Sequence, residues 1–132
     1  MFKVKLNEKD LVDAVNACGK SLIATNSKPG LLQVSGLTYK LDKEGCLKEM
    51  IYTDKHGQKR NIDVQNPDPD KIYTAVYDEF LLDGGDNLGM LKRTDKDIIE
   101  RYNYDKDKVT IDYIKTLNQP FEIKKDNRIQ IL

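Results

Sequence analysis

Apolar and polar residues alternate from the first positions of the chain. Phe2, Val4 and Leu6 interleave with Lys3 and Lys5, which predicts a half-buried strand with its lysines facing water. Asn7 follows as an N-cap, and Asp10 stands at the third helical position as a mimic of the capping-box glutamate. Leu11, Val15, Cys18 and Leu22 then recur at helical spacing, widened by Val12 and Ile23. That stripe predicts one amphipathic helix over 8–24. Gly19 inside it costs up to about 1 kcal/mol relative to alanine, a sign that something approaches closely there. Lys28-Pro29-Gly30 reads as a turn.

The period then shortens. Residues 31–42, rich in Val, Leu, Thr and Tyr, predict a strand in which Gly36 permits a bulge or close packing. Asp42-Lys43-Glu44-Gly45 is a turn, and 47–53 a second strand that forms an antiparallel hairpin with the first. Asp54 to Gly57 is another turn. The polar stretch 58–70 contains Asn66-Pro67-Asp68-Pro69-Asp70 as a stiff corner. Residues 72–80 predict the next strand, with Tyr73, Ala75 and Tyr77 on one face. Beyond the glycine pair Gly84-Gly85, the pattern predicts a helical turn over 88–93, a short strand over 98–102 and a helix over 106–118. That helix is capped by Asp105 and carries Val109, Tyr113, Ile114 and Leu117. Pro120 ends it, and 121–123 and 129–132 close the chain as extended segments. Strands and helices mix without a regular βαβ alternation, so the expected class is α+β: a mixed sheet with two main helices. Its length of 132 residues suits a single domain over 1–132.

Composition narrows the function. The 22 basic and 22 acidic residues cancel and are interspersed, and the pI is about 6.6. This argues against a nucleic-acid polymer as partner, which requires a basic stripe. No apolar run approaches the roughly 20 residues that cross a bilayer. Cys18 and Cys46 form no Cys-x-x-Cys pair and read as small apolar residues. The lone histidine, His56, falls in a predicted turn. One histidine without a ligand motif cannot build the usual hydrolytic metal site or a nucleophile–histidine pair. No phosphate-binding glycine loop is present, and Gly84 to Gly89 opens no long helix of a βαβ unit. We therefore assign no catalytic residue and no metal ligand. Phe80 to Asp86 remains. Paired glycines Gly84 and Gly85 allow close ligand approach, Phe80 offers a flat face, and Asp86 can accept two hydrogen bonds from a vicinal diol. Spacing alone also fits a core phenylalanine followed by an ordinary Asp-Gly-Gly turn.

The ordered pieces Leu32-Gln33-Val34-Ser35-Gly36, Pro69-Asp70-Lys71-Ile72-Tyr73-Thr74, Asp78-Glu79-Phe80-Leu81 with Gly84-Gly85-Asp86, and Asn127-Arg128-Ile129 resemble the C-terminal domain of the 5'-nucleotidase family. The likeness extends over nearly all of the chain. In that family an N-terminal metallophosphoesterase domain with two divalent metal ions performs hydrolysis, and the C-terminal domain holds the nucleoside with its base between two aromatic rings. The resemblance implies a nucleoside or nucleotide ligand, with Phe80 as one stacking ring and Asp86 on the ribose, and the metallophosphoesterase domain as partner in the parent chain. It also implies a periplasmic, cell-surface or secreted setting. Asn87-Leu88 replaces the family's Gly-Tyr. The family's opening segment, with its Asn-Gly-Gly-Gly-x-Arg strand and second ring, would fall at or before Met1, with Phe2 one position off. The expected chain is thus a domain truncated at its N-terminal end, lacking the metal domain and part of the pocket. The alternative is an interaction module that kept the fold and lost the ligand.

Overall fold

The β-strand at the start of the chain gives way directly to a long helix. A computed structural model describes residues 1–25 and 31–132; the turn expected at Lys28-Pro29-Gly30 lies outside them. The elements are β1 (Phe2–Asn7), α1 (Glu8–Thr25), β2 (Leu37–Leu41), β3 (Leu47–Thr53), β4 (Lys59–Asn61), β5 (Ile72–Tyr77), α2 (Glu79–Leu82), β6 (Ile98–Arg101), α3 (Lys106–Thr116) and β7 (Ile129–Ile131). Single turns of 3-10 helix cover Gly89–Leu91 and Asp95–Asp97. The class is α+β, as the patterning predicts. The strands fall into two sheets, ordered β5-β1-β6 and β4-β3-β2-β7. Backbone packing divides the chain into two compact units: Met1–Leu6 with Thr74–Asp126, and Asn7–Tyr73 with Asn127–Leu132.

In the second unit, β2 and β3 pair antiparallel, as the hairpin turn at Asp42–Gly45 requires, while β7 joins β2 in parallel. The turn is built by Asp42, whose Oδ1 accepts from the amides of Glu44 (3.0 Å) and Cys46 (2.8 Å), with Gly45 at φ +80°. Helix α1 starts where expected. Asn7 Oδ1 accepts from the Asp10 amide at 2.8 Å, which caps the helix, and Asn7 Nδ2 donates to Asp10 Oδ2 at 2.9 Å, so the two side chains also bond each other. Gly19 faces the backbone carbonyl of Gly45, and a Cβ at Gly19 would also lie 2.9 Å from a Leu41 methyl. Those two glycines let the helix and hairpin backbones touch. The core beneath is Val12, Val15, Tyr39, Leu41, Leu47, Met50, Ile62 and Tyr73. Leu41 and Met50 are wholly buried.

The structure departs from the expected pattern at several places. The strand begins at Leu37, not Leu31: Leu31, Leu32 and Val34 pack on the core from an irregular segment. Tyr39 Oη donates to the Leu32 carbonyl (2.8 Å) and Arg128 Nη1 to the Val34 carbonyl (2.6 Å). Side-chain donors there satisfy carbonyls that a ladder would otherwise take up. Burial pushes the Tyr39 phenol well up, so it stays protonated and able to donate. The stretch 58–70 hides the short β4, whose three exposed residues carry no apolar alternation. Residues 121–123 form no strand.

The second unit also buries one charge. Glu8, 4% exposed, accepts from Arg60 Nη2 at 2.6 Å, Tyr73 Oη at 2.7 Å and the Asp68 amide at 3.1 Å. Arg60 lies over the Tyr73 ring at 5.4 Å. A carboxylate with three donors is adequately compensated for its burial.

Candidate functional site: an aromatic cavity at Phe80

In the first unit, β1 pairs antiparallel with β6, and the Tyr102 amide extends the pairing by donating to the Met1 carbonyl at 2.9 Å. Strand β5 ends at Tyr77 because Asp78 turns the chain. Its backbone is extended at φ −81°, ψ 172°, and its side chain accepts from the Leu81 amide, which makes it the N-cap of α2. Phe80 therefore sits in a helical turn and not, as the β-rich run suggests, at the end of a strand. Leu82, Leu88 and Leu91 are buried and anchor the loop from within. Arg93 fixes its far end: Nε donates to the Lys5 carbonyl at 3.0 Å and Nη1 to the Met90 carbonyl at 2.9 Å, while Tyr77 Oη donates to the Leu91 carbonyl at 2.7 Å.

This frame holds the Phe80 ring outward, 57% exposed. Gly85 is the reason it can lie there. A Cβ at Gly85 would come within 2.6–2.7 Å of three Phe80 ring carbons, so only glycine lets the ring rest on the loop backbone. The Gly85 amide donates back to the Phe80 carbonyl at 2.8 Å. Gly84 takes φ +84°, a left-handed conformation that favours glycine. Asp86 and Asn87 follow at φ +56° and +58°, a conformation that Asp and Asn tolerate better than most residues. Asp86 is exposed.

Phe80 lines an open cavity of about 510 Å³ together with Phe2, Tyr102 and Tyr104. Tyr102 and Tyr104 stack on each other, with centroids 5.9 Å apart and planes at 22°. Arg101 lies 5.4 Å over the Phe2 ring. Asp78 and Lys106 also line the cavity and pair at 3.1 Å. Partial burial works against ionisation of Asp78, but the Leu81 amide and the Lys106 ammonium outweigh it and hold its carboxyl below the ordinary value. Of the four residues singled out by sequence, Phe80 reaches this cavity. Gly85 supports it from behind, and Gly84 and Asp86 belong to the adjoining loop and not to the lining. Sequence reasoning missed Tyr102 and Tyr104; the signal was their i, i+2 spacing, which sets two side chains on one side of an extended segment.

His56 is exposed in its turn. Among the described residues no group of three or more His, Cys, Asp or Glu could hold a metal ion. The divalent ions implied by the resemblance do not fit these residues, and no step is assigned to them. Cys18 is buried and Cys46 half-buried. No helix among the described residues is long and apolar enough to cross a membrane.

No protein-family model matches the chain. In solved structures, 98% of it superimposes on 24% of the 5'-nucleotidase precursor of Thermus thermophilus, with a TM-score of 0.73 and 21% identity. The chain has the fold of a 5'-nucleotidase C-terminal domain. The NAD nucleotidase of Haemophilus influenzae superimposes comparably, at TM-score 0.75 and 14% identity, again over 98% of this chain and 23% of that one. In sequence, 105 residues are 33% identical to an apyrase of Tabanus yao, covering 77% of this chain and 18% of that protein. The chain thus spans between about a fifth and a quarter of the length of these relatives.

Proposed function

We propose that this 5'-nucleotidase-type domain binds a nucleoside or nucleotide, presenting it for hydrolysis by a two-metal domain outside these 132 residues. The base stacks on Phe80, and Asp86, on the adjoining loop, accepts hydrogen bonds from the ribose hydroxyls. The observation that carries this reading is the exposure of Phe80. A phenylalanine held outward on a rigid loop, against a glycine that leaves it room, retains an apolar face for a ligand to cover. The kinship with nucleotidases supplies the ligand class. The alternative, a fold retained only as an interaction module, predicts a ring packed into the core, and 57% exposure favours the ligand reading.

The test is calorimetric titration of the chain with adenosine, comparing wild type with Phe80→Ala. Base stacking on one aromatic ring is worth about 1–3 kcal/mol, so the variant should bind about tenfold more weakly or worse while keeping its urea midpoint. Equal affinity in the two proteins would remove Phe80 from the site.

A further inference from the structure

The cavity at Phe80 is acidic as well as aromatic. Asp78, Glu79, Asp105 and Asp107 all stand on its lining, against Lys106 as the one cationic side chain there. Lys106 is already taken, because its ammonium pairs with Asp78 at 3.1 Å. Glu79, Asp105 and Asp107 are exposed and form no ion pair among the described residues. Asp105 is the most telling of the three. An N-cap aspartate ordinarily bonds an amide of the first turn through its carboxylate, yet Asp105, at the N-cap of α3, makes no such bond. The partial positive charge at the start of that helix, about half a unit, offsets less than one of these carboxylates. Arg101 is a further cation near by. It lies 5.4 Å over the Phe2 ring and pairs with Asp95 at 2.6 Å, so one ring of the lining already carries a cation.

An aromatic face is the negative side of the ring's quadrupole and attracts a cation placed over it. The exposed Phe80 ring and the three carboxylates without a cationic partner therefore favour the same charge on a ligand. A phosphate meets the opposite, since like charges on the lining repel it, so the base end of a nucleotide enters and its phosphate end stays outside. We infer that the cavity prefers a nucleoside whose base carries a positive charge, such as an N-alkylated purine or a pyridinium, over one with a neutral base, and that Glu79, Asp105 and Asp107 set this preference. They need not touch the base, because a charge held at the Phe80 face feels them through space over a screening length of about 10 Å at moderate salt. The inference rests on the nucleoside reading above and deepens it by naming the charge of the base.

Two isomers isolate the charge. At neutral pH 1-methyladenosine is a cation and N6-methyladenosine is neutral, and they differ otherwise only in where the methyl group sits. Calorimetric titration of the chain at about 0.02 M salt should show the cation bound about tenfold more tightly. Raising the salt to about 0.5 M should cut that ratio to about threefold, because exposed charges are screened. A triple variant, Glu79→Gln with Asp105→Asn and Asp107→Asn, should show the smaller ratio already at low salt. The ratio is taken within one protein, so a general loss of affinity in the variant cancels. Equal affinity for the two isomers in the wild type, or a ratio unchanged in the triple variant, overturns the inference. The nucleoside reading survives that result if N6-methyladenosine still binds the wild type and binds Phe80→Ala more weakly. If neither isomer nor adenosine saturates the chain, the nucleoside reading itself fails and the charge preference with it.

Discussion

Single residues decide whether the Phe80 ring is available. Gly85 is the clearest case, because its own φ is not in the left-handed region and an alanine there meets no backbone penalty, only the ring at 2.6 Å. Gly85→Ala should therefore displace Phe80. The expected result is a loss of about 1–3 kcal/mol in urea unfolding together with weaker adenosine binding. Asp78 governs the other side of the ring through the α2 cap and Lys106. Its folded-state carboxyl lies below the ordinary 3.8, so its contribution to stability is complete above that pH and is lost as the solution is acidified through the lower, folded-state value. Urea midpoints measured against pH should show a fall on the acid side, and Asp78→Asn should flatten part of it. Glu8 shows how a charge is kept inside: with Arg60, Tyr73 and the Asp68 amide as donors, Glu8→Gln loses the ion pair. Arg60 is 44% exposed in its side chain, which softens the cost to about 2–3 kcal/mol, read as a drop in the urea midpoint.

At the scale of elements, what the sequence makes legible is local. The lysine-lined strand β1, the Asn7–Asp10 cap, the stripe of α1 and the Asp42–Gly45 hairpin are each specified by residues within a few positions of one another. Gly19 was readable as a point of close approach but not its partner Gly45, because nothing in a linear pattern pairs residues 26 positions apart. Gly19→Ala should force the helix off the hairpin backbone and cost about 3 kcal/mol; Asn7→Ala, which removes only the cap, should cost about 1 kcal/mol. Thermal and urea unfolding of both variants tests that ordering. The misreadings have two causes. Leu31 to Val34 has strand-like apolar content, but Tyr39 and Arg128 take its carbonyls. Residues 78–80 continue a β-rich run, but Asp78 accepts the Leu81 amide and starts a helix. Strand β4 has no apolar face to announce it. In the first two, a hydrogen bond outweighs propensity; in the third, pairing with β3 alone makes the strand.

For the whole molecule, the candidate site was half legible. Phe80 and its glycines stand in one sequence segment and could be singled out; Tyr102 and Tyr104 enter the cavity through the β1–β6 pairing, which only the folded chain reveals. The fold agrees with that of nucleotidases about four times its length. The most direct test is the set of nuclear Overhauser contacts between bound adenosine and the chain. Contacts are expected from the adenine protons to the Phe80 ring and from the ribose protons to the Gly85–Asp86 segment. Adenine contacts confined to other residues, such as those of the second unit's cavity around Lys9 and Lys48, would contradict the assignment of Phe80 to the base.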